Sequence, residues 1–163
     1  MTADTMSRTP VVLKFGGELL EDSARLGGVV EGIARIAAAG EPLVIVHGGG
    51  KEIDAGLAAA GIAKQQVDGL RITDQATLDV VVAVLGAVNT RFVAALTMAG
   101  VEAVGLTGAD GRCGLSDVAP PHEATDGRVV ELGKVGIPAG GAESRLLTTL
   151  TAAGFVPVLA CIG

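Results

Sequence analysis

At 163 residues, 49% hydrophobic, 18% charged and only 2% aromatic, the chain has the length and apolar content of one folded domain with an aliphatic core, which excludes a disordered segment. A formal net charge of −6 without any Lys/Arg cluster argues against a nucleic-acid partner, because phosphate backbones are repelled. Cys113 and Cys161 stand far apart with no metal or CxxC spacing, so neither a zinc site nor a disulfide is expected, and a reducing, cytoplasmic setting fits. The polar segment 1–10 lacks a signal-peptide core, and no stretch is expected to reach the roughly 18 apolar residues of a membrane span.

Val11 to Phe15 reads as a short buried strand ending in Gly16-Gly17. From about Asp22 a helix follows, with Leu26, Val29, Val30, Ile33, Ile36 and Ala37 at helical spacing and Gly40 as its stop. Leu43 to Val46 is a second strand, closed by His47-Gly48-Gly49-Gly50, and the next helix sets Ile53, Leu57 and Ala60 on one face before Gly61. Strand, helix, strand, helix is the pattern of a parallel sheet with right-handed crossovers. Asp68-Gly69 marks a hairpin, and Arg71 lies just after it.

Thr73 is expected to cap a long helix running from about Asp74 to Ala99, with Gly100 past its end. Its middle, Val80 to Val88, is apolar on every side. That pattern means burial all round, either as a central core helix or as a helix shared with a second subunit through Gly86; a misread buried strand is the third option. Ala103 to Leu106 forms another strand, small antiparallel hairpins are expected from Pro120-Pro121 to Gly141, a last helix starts near Glu143, and Phe155 to Ala160 is the final strand.

Ligands of open parallel sheets bind beyond the carboxyl ends of the strands, where helix N-termini present unpaired N–H groups to anions. Both glycine clusters fall there. Gly48, Gly49 and Gly50 would let a ligand reach the backbone, more than a tight turn alone requires. The spacing is not that of a P-loop, which would need Gly at Ile45 and Ser or Thr at Glu52, nor of GxGxxG, which would need Gly at Ile53. Lys14 interrupts an apolar strand and suits an ammonium directed at a transferring phosphoryl group, the alternative being a lysine that snorkels to solvent. Arg71 suits a bidentate grip on a carboxylate, the alternative being a surface ion pair. His47 reads as a hydrogen-bonded structural residue, Lys51 as solvated and Asp110 as a turn residue.

The segments Lys14-Phe15-Gly16-Gly17, Val44 to Gly50, Gly69-Leu70-Arg71-Ile72-Thr73-Asp74, Val88-Asn89 and Ala103 to Asp110 together resemble the amino-acid kinase family, and within it the N-acetylglutamate kinases. The resemblance implies an open, mainly parallel α/β sheet with helices on both faces, of the carbamate-kinase-like kind. It implies phosphorylation of the side-chain carboxylate of N-acetyl-L-glutamate by ATP with Mg in arginine biosynthesis, giving an acyl phosphate. Lys14 would stabilise the transition state; Gly16, Gly17, Gly48, Gly49 and Gly50 would line the substrate and phosphoryl site; Arg71 would bind the α-carboxylate. A homodimer through the region Asp74 to Ala99 is also implied. No residue is expected to hold a metal. Because family members continue well beyond residue 163, the chain is expected to be a single acceptor-binding and dimerisation domain, 1–163, apparently truncated and without the nucleotide-binding half. The alternatives are a sibling kinase for another carboxylate and a non-catalytic module that binds an acidic amino acid or dimerises.

Overall fold

A computed structural model describes residues 9–163 except Asp22, so the expected helix start at Asp22 lies outside the described residues. In chain order the elements are β1 (Val11–Phe15), α1 (Glu18–Glu21), α2 (Ser23–Ala38), β2 (Leu43–His47), α3 (Gly50–Ala59), β3 (Gln66–Val67), β4 (Leu70–Arg71), α4 (Gln75–Met98) and β5 (Ala103–Thr107). There follow β6 (Ser116–Val118), β7 (His122–Glu123), β8 (Val129–Val130), β9 (Gly136–Pro138), α5 (Arg145–Ala152) and β10 (Val156–Ala160). The main sheet has the order β1-β2-β10-β5 and is parallel throughout. Its register sets Phe15, His47, Ala160 and Thr107 level at the carboxyl edge.

Alternate residues of the strands face opposite layers. Leu43, Ile45, Val156 and Val158 pack with Val30 and Ile33 of α2 and Phe92 and Leu96 of α4 to form the principal core. Val44, Pro157 and Leu159 on the other face are also buried, and α5 packs there against β10 and β2. Toward β1 that second face opens: Val12 is 63% exposed and Lys14, level with Val46 and Leu159, is exposed. Helices therefore flank both faces, as expected.

The glycine stops behave as the sequence implies. Gly40, Gly61, Gly100 and Gly154 follow helices with φ of +74°, +70°, +84° and +90°, the left-handed conformation that lets a helix end without Cβ strain. The antiparallel pairs β3–β4 and β7–β8 supply expected hairpins, and β6 pairs antiparallel with β9 on either side of the β7–β8 hairpin.

Three expectations need correction. Asp74, not Thr73, caps α4: its backbone is extended and its Oδ1 accepts from the Thr77 amide at 2.8 Å. Thr73 is engaged elsewhere, bridging Gly133, donating from its amide to Leu132 O and accepting from the Lys134 amide. Nor is α4 buried all round within this chain. Leu85, Val88, Asn89, Phe92 and Leu96 face inward, Val80, Val81 and Val84 pack beside α3, and Val82, Ala83, Gly86 and Ala87 remain exposed. Finally, α4 is long and apolar enough to cross a membrane by length and composition, at a mean hydropathy of 1.8 over its 18-residue window. One flank of it docks on β5 and β10, and 28% of that window is buried within this chain.

Candidate active site

The two glycine turns meet. The Gly48 amide donates to Phe15 O at 3.3 Å, and a Cβ on Gly17 would lie 2.8 Å from Gly49 Cα and 3.1 Å from Gly50 N. Those neighbours are backbone and cannot swing aside, so Gly17 is fixed by packing. Gly49, at φ −167°, is hemmed in by the Leu85 side chain, which would lie 3.0 Å from a Cβ added there. Gly16 is less constrained: the atoms nearest to a Cβ there belong to the flexible Glu18 carboxylate. Gly48 and Gly50 differ from all of these, since a Cβ on either would meet nothing within 4 Å. The fold alone gives no reason for glycine at those two positions.

Gly49 is also the N-cap of α3 and provides no side-chain cap, which leaves first-turn N–H groups of that helix open to an acceptor. His47, beside it, is fully buried and stands edge-on to Phe92 with centroids 6.0 Å apart. Its Nδ1 lies 3.1 Å from Gly48 O, which calls for a proton on that nitrogen, since a carbonyl only accepts. Burial pushes the imidazole below its ordinary pKa, partly opposed by the Gly48 carbonyl and Glu52. A neutral, buried ring that bonds the loop is a structural residue, as read from the sequence.

Arg71 is set by the short β3–β4 arm. Its Nη2 donates to Asp54 Oδ1 on α3 at 2.6 Å, and Lys64 donates to the other oxygen of the same carboxylate at 2.7 Å. The two cations hold the Asp54 carboxyl below the usual range, Lys64 first and Arg71 second. Arg71 is thus in an ion pair, yet its Nη1 is buried without a partner. Among the described residues, the other buried side-chain polar atoms lacking partners are His47 Nε2 and Glu52 Oε2, which flank the same glycine loop. A buried guanidinium N–H with nothing to donate to is costly unless an acceptor arrives, and Asp54 ties this one to the helix that begins at Gly50.

Lys14 projects from the open face at the end of β1, close enough to Cys161 for its charge to oppose the upward push that burial gives that thiol. Lys51 is exposed. Asp110 acts as a turn residue, accepting from the Thr107 amide at 2.7 Å and its hydroxyl at 2.9 Å.

Two residues escape the sequence reading of function. Asp54 orients Arg71. Asn89, buried on α4, donates from Nδ2 to Leu106 O at 3.0 Å and Val158 O at 2.9 Å, tying β5 and β10 to the helix; Gly105 admits it, since a Cβ there would lie 2.6 Å from Asn89 Oδ1. A polar residue in an apolar helix is the signal for Asn89, whereas nothing local marks Asp54. A groove of about 360 Å³ opens beside Asn89, Thr90, Gly105, Thr107 and Asp110; none of the site residues expected from sequence lines it.

The amino acid kinase family profile matches residues 9–163. The chain belongs to the amino acid kinase family. An acetylglutamate kinase of Nitratidesulfovibrio vulgaris is 40% identical over 157 residues, which cover 94% of this chain and 51% of that one. The chain thus spans about half the length of this amino acid kinase relative. Among solved structures, smu.665 of Streptococcus mutans UA159 superimposes with a TM-score of 0.76 at 25% identity, covering 91% of this chain and 57% of its own. N-acetylglutamate synthase of Neisseria gonorrhoeae, complexed with coenzyme A and N-acetyl-glutamate, gives 0.72 at 26% identity, covering 93% and 33%.

Proposed function

We propose that this chain is the acceptor-binding domain of an acetylglutamate-kinase-like phosphotransferase, which transfers a phosphoryl group from ATP to the side-chain carboxylate of N-acetyl-L-glutamate in cytoplasmic arginine biosynthesis. The observation that carries this reading is the unpartnered, buried Nη1 of Arg71, tethered through Asp54 to the helix whose first turn is formed by Gly50. Arg71 receives the α-carboxylate of the acceptor. Gly48 and Gly50, whose Cβ positions are open, leave room for the reacting carboxylate and the phosphoryl group against backbone amides.

The chemistry asks for little covalent help. Two anionic groups must approach in line, so the work is positioning and charge neutralisation. Lys14 supplies a positive charge near the end of β1, and Gly17 and Gly49 hold the two turns in contact. ATP is the phosphoryl donor. The family resemblance also brings Mg, which would enter with the ATP phosphates. The exposed Val82, Ala83, Gly86 and Ala87 flank of α4 supports pairing of two copies through that helix, with close approach at Gly86. A sibling kinase for another acylated acidic amino acid would use the same arm and loop.

Titration of acylated glutamate, aspartate and aminoadipate into the purified 163-residue chain tests the acceptor. N-acetyl-L-glutamate should bind most tightly, and preference for another acid would transfer the assignment to a sibling. The isolated chain should not release ADP from ATP when the acceptor is added; acetylglutamate-dependent turnover would contradict its role as an acceptor domain alone.

A further inference from the structure

The arm that carries Arg71 is only four paired residues, β3 and β4, and a two-stranded ribbon of that length does not hold its own position. Its apolar support is a satellite cluster in which Val67 packs with Ala124 and Leu132, with Ile72, Val130 and Val135 around them. Backbone bonds of Thr73 and the Arg71–Asp54 pair hold its base, and at its tip the polar support converges on one residue. Asp68 sits at the tip with φ +47°, followed by Gly69 at +81°, the two left-handed residues of a tight hairpin turn. From there its carboxylate reaches the β7–β8 hairpin: Oδ2 accepts from the Thr125 amide at 2.9 Å, Oδ1 from the Thr125 hydroxyl at 2.9 Å, and Oδ2 lies 2.9 Å from His122 Nε2. These contacts, His122 first, hold the carboxyl below its usual range.

A hairpin turn needs only the backbone conformation, for which Asn or Gly serves as well as Asp. Three contacts to a hairpin more than fifty positions away are a separate task. We propose that Asp68 is a positioning residue that latches the β3–β4 arm onto the β7–β8 hairpin and thereby holds Arg71 in register with the glycine loop. It touches no reacting atom. Asp54 fixes the guanidinium from the α3 side, and Asp68 fixes the strand that bears it from the far end. The inference rests on the reading of Arg71 as a carboxylate binder, and it names the segment on which that grip depends.

Asp68→Gly removes the carboxylate while keeping the left-handed turn unstrained, and Asp68→Asn keeps the turn and most of the acceptor function. Hydrogen exchange on the intact chain reads the latch without any ligand. In Asp68→Gly the amides of Ile72 and Thr73, bonded to Gln65 O and Leu132 O, should exchange at least about tenfold faster, with β2 and β10 unchanged and Asp68→Asn close to wild type. Unaltered exchange at both amides would overturn the latch whatever the chain binds. The consequence for Arg71 is read with two ligands, N-acetyl-L-glutamate and 4-acetamidobutyrate, which lacks the α-carboxylate. Asp68→Gly should weaken the first about tenfold and leave the second unchanged, with recovery in Asp68→Asn. Equal loss for both ligands, or for neither, would overturn the link to Arg71. Failure of the wild-type chain to bind either ligand would instead overturn the acceptor reading, leaving the latch to be judged by exchange.

Discussion

Gly17→Ala and Gly50→Ala separate what the fold needs from what a ligand needs. The Cβ added at Gly17 would lie 2.8 Å from Gly49 Cα, whereas carbon atoms rest at about 3.5–4.0 Å, so the two turns must part by roughly 1 Å. Overpacking of this kind costs about 1–3 kcal/mol. For a domain of this size that lowers Tm by roughly 2–4 °C per kcal/mol. A shift of about 1 Å at a reacting centre can also reduce turnover on the order of a hundredfold. At Gly50 a Cβ meets nothing within 4 Å and the residue opens α3, so alanine should be neutral or stabilising by up to about 1 kcal/mol through reduced chain entropy. Thermal unfolding and calorimetric titration with N-acetyl-L-glutamate read both quantities. Gly17→Ala should lose stability, and Gly50→Ala should keep stability but lose at least about tenfold in affinity. An unchanged Tm for Gly17→Ala would refute the contact between the turns, and wild-type affinity for Gly50→Ala would refute a ligand seated against that backbone.

Asn89→Ala should destabilise by about 2–4 kcal/mol in urea denaturation, because the carbonyls of Leu106 and Val158 lose their donors in the interior; a loss below about 0.5 kcal/mol would contradict the tie. Burial lowers the His47 pKa, so the folded state disfavours the charged ring. Its stabilising preference is complete above the unfolded value of about 6.5 and is lost as the pH falls toward the folded value. Stability should therefore decline on acidification below about pH 6.5, with a shallower slope in His47→Asn, and equal slopes would contradict the assignment. Asp54→Ala should change stability by less than about 1 kcal/mol, because that ion pair is partly exposed, yet weaken acceptor binding measurably by releasing Arg71; unchanged affinity would show that Arg71 needs no tether.

What the sequence makes legible is what local chemistry decides. Strands that end in glycine, helices stopped by Gly40, Gly61, Gly100 and Gly154, and a hairpin at Asp68-Gly69 all follow from backbone freedom at single residues. The α4 cap illustrates the boundary: Thr73 and Asp74 are both capping residue types, and the choice is made by Gly133, which recruits Thr73 into a bridge. The burial of α4 is undecidable locally, since an apolar helix reads the same whether its outer flank meets another helix, another chain or water. In the site, the glycine turns and Arg71 are visible because their residue types are unusual where they stand. Their supports are not, because Asp54 lies 17 positions from Arg71, His122 lies 54 from Asp68 and Val158 lies 69 from Asn89. Only the fold brings such pairs together.

The most direct test of the central claim is calorimetric titration of N-acetyl-L-glutamate into the 163-residue chain and its Arg71→Ala variant. Saturable binding by the wild type is expected, weakened roughly 10- to 150-fold in the variant, as loss of a hydrogen bond between charged groups implies at about 1.5–3 kcal/mol. Equal affinity in the two proteins, or no binding by the wild type, would contradict an acceptor site built on the glycine turns and Arg71.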